Sequence, residues 1–466
     1  MSVNKIISSG VFVFLDQLVF AVAGWIYWLV ITKYTSPSEI GQATAVYSLI
    51  FLISMFTQLG LEYPLLNRSS AQRSHILGSV LIIELAITLV AIPIVIYLLN
   101  SVYPESFRIF TWLAVGILVL MNLNFVPRFA LLGITEAKKI LVIDTISTII
   151  KFLTGLAFVI VGFGASGILS SFLIQSIVTA CVTLVLAIKL FGLMSGNREY
   201  LGSLFRDGLV NMPSKLSGVL MFSLSVVLLA SFGVSTPDIG LFYIALMISL
   251  VGGSFASSLA LMLIPSSSIS KIDFSAASMR IGISLTAPII AALVASPKFI
   301  LSIIGTQYIA AETILVVLAI GILPFCIMIN AISKFNYLND SRKLILIGTV
   351  QLVAFVLSFF FLVPKYGTLG AAFSILLAFT ASAIPSIVWS ERVIIRYIVG
   401  AGAAILAGWI TGIAVGSLGG DSIIIQVSSI LTALSVTFII ILAVRNTSTT
   451  EITQLIKSFI PNPPES

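Results

Sequence analysis

The sequence predicts an all-α polytopic membrane protein of about fourteen transmembrane helices, on three observations. Of 466 residues, 59% are hydrophobic and 9% charged, against roughly 45–50% and 25% in soluble domains. Apolar runs of the ~20 residues needed to cross a hydrocarbon core recur along the whole chain. The basic residues segregate by side of those runs. A water-soluble protein with a mean hydropathy of +1.18 could not cover its surface with polar groups. Intrinsic disorder and a disulfide-stapled secreted fold are excluded with it.

The expected spans are 11–31, 41–61, 76–99, 109–132, 140–161, 167–188, 208–232, 239–264, 281–304, 312–333, 343–363, 368–389, 394–416 and 422–444. These continuous runs differ from the roughly ten-residue alternating strands of a β-barrel. The first carries Asp16 and Gln17 and lacks a small-residue cleavage site, so it reads as a retained helix and not as a signal peptide. Cys181 and Cys326 fall inside spans and read as free buried thiols. The connections leave no room for a soluble catalytic domain, and no HExxH, CxxC or nucleophile motif is present. No enzyme activity, cofactor or metal is expected, and His75, the lone histidine, falls in a loop.

With the N-terminus inside, eighteen of the 24 basic residues fall on the inner side and four (Lys33, Arg108, Lys298 and Lys365) on the outer side. Lys151 and Lys215 lie within spans. Short loops rich in Lys and Arg stay cytoplasmic, so the expectation is a multi-pass cell-membrane protein with both termini cytoplasmic. The net charge of +7 is then topological, and nucleic acid is not an expected partner.

The chain repeats itself. Ser36-Pro37-Ser38-Glu39-Ile40-Gly41 returns as Ser235-Thr236-Pro237-Asp238-Ile239-Gly240. LAVGIL at Leu113–Leu118 returns as LAIGIL at Leu318–Leu323, and ITEAKKILVI at Ile134–Ile143 as LNDSRKLILI at Leu338–Ile347. Gly164-Ala165-Ser166-Gly167 returns as Gly367-Thr368-Leu369-Gly370. The unit is six spans, and an even number keeps both copies in the same topology, the parallel-repeat arrangement of transporters. The expected organisation is an N-terminal lobe at 1–195, a C-terminal lobe at 196–391, two added spans at 392–445, and a tail at 446–466 carrying a short interfacial helix. In each S/T-x-x-[E/D]-I-G turn a hydroxyl and an acid stand at a helix start, where free N–H groups favour them. The GxGxxG at Gly162–Gly167 has neither the preceding strand nor the distal acid of a dinucleotide site.

Five segments carry a family resemblance: GLVNMPSKLSG (Gly208–Gly218), STPDIGLFYIA (Ser235–Ala245), SSLALMLIPSSS (Ser257–Ser268), IGTQYIAA (Ile304–Ala311) and LVPKYGTLGAAFS (Leu362–Ser374). In these the chain resembles the polysaccharide-flippase branch of the MOP superfamily, related to O-antigen and lipid II flippases and to multidrug and toxic compound extrusion transporters. The resemblance implies alternating-access translocation of a polyprenyl-linked oligosaccharide for surface-glycan synthesis. It also implies contact with membrane lipids and glycan-assembly proteins, and leaves open coupling to Na+ or H+. The alternative is a cation-coupled multidrug or metabolite exporter of the same superfamily. Fourteen spans resemble the lipid II flippases, whose extra pair helps form a groove for the polyprenyl tail.

Ionisable residues at membrane depth face a cavity or a partner. Asp207, Asn211 and Lys215 share one face of span 7, and Asp144 and Lys151 one face of span 5. Asn122 and Asn124 add polarity in span 4. Lys215, Lys151 and Arg128, with Asn211 and Asn124, are the candidates to hold a phosphate-bearing substrate. Asp16, Glu84 and Asp144 are the coupling-ion candidates. The competing reading makes Asp144–Lys151 and Asp207–Lys215 ion pairs that only fix helix packing. In span 13, Gly408, Gly412 and Gly416 belong to a four-residue small-residue repeat that suits close helix packing. Trp25, Trp28 and Tyr34 read as an outer aromatic belt.

Overall fold

The computed structural model describes residues 3–62, 65, 73–192, 195–216, 220–270, 275–338, 340–389, 393–418 and 422–444. Among them every regular element is helical. The helices are α1 (Val3–Ile31), α2 (Pro37–Thr57), α3 (Arg73–Tyr97), α4 (Thr111–Gly133), α5 (Ala137–Ile160), α6 (Gly164–Phe191), α7 (Arg198–Leu216), α8 (Leu220–Ser231), α9 (Thr236–Ser270), α10 (Ser275–Ala295), α11 (Pro297–Ile304), α12 (Glu312–Tyr337), α13 (Ser341–Val388), α14 (Val393–Gly416) and α15 (Ile423–Ala443). Eleven described helical stretches are long and apolar enough to cross a membrane. One of these, α13, contains two expected spans, and the shorter apolar segments Val22–Ile31 and Leu220–Ser231 lie in spans 1 and 7. The expected interfacial helix of the tail lies outside the described residues.

The sequence repeat recurs as repeated local chemistry. Ser36 caps α2 with a full capping box: its hydroxyl accepts from the Glu39 N–H, and Glu39 accepts from the Ser36 N–H at 2.8 Å. Ser235 likewise accepts from the Asp238 N–H and donates to the Asp238 carboxylate at 2.5 Å. Glu136 pairs with Lys139 at the start of α5, and Asp340 with Lys343 at the start of α13. Short 3-10 helices, Glu105–Phe110 and Thr306–Ala311, lead into α4 and α12. Gly164 and its repeat mate Gly367 both adopt positive φ, at 49° and 56°. Only glycine does this without cost, which lets α5 turn into α6 and bends α13 at its centre. At Gly164 a side chain would also strike the Glu39 carboxylate.

Packing divides the chain into two compact units, Met1–Ile244 with Tyr366–Ala371, and Ala245–Lys365 with Ala372–Ser466. In the first, α6 packs on α4 and α5, α1 on α5, and α2 on α4, α6 and α8. The partly polar α7 lies along α3. It inserts Leu204 into an apolar cluster of Leu61, Leu77, Val80 and Val126. In the second unit, α10 packs on α12, α14 and α15, and α14 on α15. The glycine stripe faces those neighbours. A methyl on Gly412 would stand 2.7 Å from Ala295 Cβ, one on Gly408 would strike Thr437 Oγ1, and Gly416 faces Ser429. Ser429 donates to the Gly412 carbonyl at 2.7 Å, as expected of polar groups in an apolar medium.

Candidate functional site

Three charged side chains far apart in sequence converge in the first unit. Arg128 on α4 donates through Nη2 to Asp16 Oδ2 on α1 at 2.8 Å and through Nη1 to Asp144 Oδ2 on α5. All three are largely buried, with 28%, 12% and 14% of the side chains exposed. Helical geometry explains the meeting: α5 packs against α1, and α4 against α5, so an arginine reaching from one helix can bridge the other two. A planar guanidinium suits this better than an ammonium, because its fork can serve two carboxylates at once. With both carboxylates ionised the cluster carries one surplus negative charge.

That geometry revises two expectations. Asp144 takes Arg128 as its ion-pair partner and not Lys151. Arg128, expected to hold substrate phosphate, is occupied by two carboxylates in this structure.

Lys151 is set differently. It lies on α5, seven residues or about 10 Å beyond Asp144, and is only 3% exposed. Its ammonium faces the rings of Phe172 at 4.9 Å, Tyr27 at 5.0 Å and Phe20 at 5.8 Å. Among the described residues it makes no ion pair. Aromatic faces attract a cation electrostatically, so the rings support a charge that no carboxylate among the described residues pairs with.

Phe20 is exposed, whereas Tyr27 and Phe172 belong to a buried aromatic cluster that sequence reasoning missed. Tyr47 stacks on Phe172 at 4.1 Å, and Trp28 meets Tyr243 edge-on at 5.1 Å. The Tyr27 hydroxyl lies 3.0 Å from that of Ser171. Trp25 and Tyr34 are exposed, as a membrane-interface belt requires, but Trp28 is buried in this cluster. It is therefore a core residue and not part of the belt.

The remaining candidates are spread over other helices. Asn124 accepts from Thr183 at 2.8 Å. Asn122 ties three helices together, accepting from Ser54 at 2.7 Å and donating to Thr57 and Thr88 at 2.8 Å each. Glu84 is fully buried on α3, and Thr88 donates to its main-chain carbonyl at 2.7 Å. Asn211 and Lys215 belong to α7, but their side chains, like that of Gln17, lie outside the described residues. His75 is exposed and lies 3.0 Å from Ser195 Oγ. No group of three or more His, Cys, Asp or Glu able to hold a metal occurs among the described residues.

No protein-family model and no curated protein matches the chain. Solved structures do. A lipid II flippase, MurJ, in an inward closed conformation superposes with a TM-score of 0.72 at 13% identity, covering 97% of this chain and 100% of that one. An inward-facing multidrug resistance MATE family transporter gives 0.61 at 16% identity, covering 82% and 98%. A MOP superfamily transporter from Pyrococcus furiosus, described as having a binding pocket of reverse polarity, gives 0.55 at 16% identity, covering 84% and 96%. The chain thus has the fold that the lipid II flippase MurJ and the MATE transporters of the MOP superfamily share.

Proposed function

We propose that the protein is an alternating-access transporter that translocates an anionic lipid-linked substrate, a polyprenyl-linked oligosaccharide, across the cell membrane. The 1–195 and 196–391 repeats are its two lobes, and both termini are cytoplasmic, in keeping with the distribution of basic residues. The observation that carries the reading is Lys151, a deeply buried cation with ring faces and no described carboxylate around it. Low-dielectric walls strengthen the field of such a charge. A phosphate or diphosphate linker is the substrate group that would complete it, with the apolar tail remaining in the membrane. Lys215 is the second basic candidate, on α7.

One observation favours a second reading. The Asp16–Arg128–Asp144 cluster has a surplus of negative charge, which suits uptake of a coupling cation, as in a cation-coupled multidrug or metabolite exporter. The two readings separate in proteoliposomes. A fluorescent polyprenyl-diphosphate disaccharide, scored by quenching with a membrane-impermeant reductant, tests the first, and rhodamine 6G uptake tests the second. The lipid-linked sugar is expected to cross and the dye not. Lys151→Gln, at equal reconstitution, is expected to lower the rate about tenfold or more, the loss of one charge-assisted contact, and Lys151→Arg to retain most of it. Sugar-lipid crossing no faster than in empty liposomes, with dye uptake present, would refute the flippase reading.

A further inference from the structure

The three rings around Lys151 are not held alike. Tyr27 is held firmly: its hydroxyl lies 3.0 Å from that of Ser171, and Gly155 on α5 leaves the ring its place, since a methyl there would stand 2.9 Å from it. Phe172 is buried and stacked on Tyr47. Phe20 lies 5.8 Å from the Lys151 ammonium, yet 58% of it is exposed. Asp16, Phe20, Gly24 and Tyr27 follow one another at spacings of four, four and three residues, so they share one face of α1. Both ends of this face are buried against α5. Asp16 meets the Arg128 that Asp144 shares, and Tyr27 meets Lys151. Between them the burial fails: Gly24 is half-buried, and a methyl on it would meet nothing within 4 Å. The seam between α1 and α5 is therefore closed at two levels and open at the turn between them, beside Phe20.

We propose that this opening is the port through which the anionic linker of the substrate reaches Lys151, with Phe20 as its movable cover. Its occupant follows from the reading of Lys151 as the phosphate site, on which this step rests. Lys151 is almost wholly buried, so a neighbour must move before an anion can touch the ammonium. Moving Tyr27 would give up its hydroxyl contact, and moving Phe172 would break its stack on Tyr47. Moving Phe20 gives up one cation–π contact, which an arriving phosphate replaces with a stronger charge-assisted one. A rotation between staggered side-chain positions is enough, because the residue one turn on carries no side chain to block the ring. A bulky residue in place of Gly24 would fill that space. The port also selects by charge. A bare ammonium stands behind the ring, so an anionic group gains by entering and a cation is repelled.

The test places a thiol at the end of the port. Lys151→Cys in a Cys181→Ser background leaves Cys326 as the other thiol, and that one is buried. Purified protein in detergent is treated with a small, negatively charged methanethiosulfonate, and the rate of modification is read by mass spectrometry. Labelling is expected to be slow with Phe20 in place, several-fold faster with Phe20→Ala, and slow again with Phe20→Leu, which restores a cover. Ser171→Ala, which frees the Tyr27 hydroxyl, is expected to leave the rate unchanged, whereas a general loosening of the cluster would raise both. Adding Gly24→Leu to Phe20→Ala is expected to slow labelling again. With Lys151 intact, Gly24→Leu is expected to cut transport of the polyprenyl-diphosphate disaccharide in proteoliposomes, and Gly24→Ala to spare it. Labelling that Phe20→Ala leaves unchanged, or that Ser171→Ala raises as much, would overturn the port. So would a Gly24→Leu protein that transports at the native rate. If the unsubstituted protein carries no sugar-lipid across, the flippase reading fails, and the labelling rates still decide the port.

Discussion

Removing Arg128 tests whether the charged cluster holds three helices together. In Arg128→Gln, Asp16 and Asp144 lose their shared cation while staying in place on α1 and α5. A charge pair at the 2.8 Å of Arg128–Asp16 attracts by about 6 kcal/mol at an effective dielectric of 20, most of it offset by desolvation. Breaking a buried pair from one side costs about 3–5 kcal/mol, because the other charge is left uncompensated. Two carboxylates left facing each other place this site at the upper end of that range. The number of carboxylates left without a cation predicts an order. Arg128→Gln leaves two, Arg128→Gln/Asp144→Asn leaves one, and wild type and Asp144→Asn leave none. Asp144→Asn is therefore expected to melt near wild type, Arg128→Gln lowest, and the double variant between them. The assay is the apparent melting midpoint in one fixed detergent, followed by tryptophan emission and used for ranking, since a protein of this size does not unfold in two states. An Arg128→Gln variant as stable as wild type would refute the reasoning. So would an Asp144→Asn variant as unstable as Arg128→Gln.

Asn122→Ala is expected to cost about 2–3 kcal/mol, since it strips partners from the buried hydroxyls of Ser54, Thr57 and Thr88; the same detergent melt checks it, and Asn122→Asp is expected to be worse. At the start of α13, the hydrogen bonds from Lys343 hold the Asp340 carboxyl below the usual carboxylate range. A depressed acid contributes at pH above its unfolded value of about 3.9 and loses that contribution as pH falls through the lower folded value. The protection of the Lys343 amide, its exchange relative to the intrinsic rate at each pH, is therefore expected to fall on acidification in that window, and Asp340→Asn to remove the dependence.

Much of the fold is legible in the sequence because crossing a membrane needs a long apolar run and little else. The runs mark the spans, and the repeated S/T-x-x-[E/D]-I-G turns mark where α2 and α9 begin. Helical periodicity also places Asp144 and Lys151 on one face of α5. It does not say what that face meets. Spacing along one helix invited the Asp144–Lys151 pair, whereas the partner of Asp144 came from α4. Trp28 reads as an interface residue from its position near a span end, yet Tyr243, more than 200 positions away, packs against it.

By itself the sequence determined the fold class, the helical character of the chain, the six-span repeat and the pool of charged residues from which a site could be built. These are properties of local hydropathy, capping and internal similarity, all readable within a few tens of residues. Only the tertiary structure decided that Arg128 is shared by two acids, that Lys151 faces rings, and that Gly41 touches the turn before Gly240. Each depends on contacts between residues remote in the chain. A single helix fixes which side chains share a face, and the packing of its neighbours fixes which charges and backbones that face encounters.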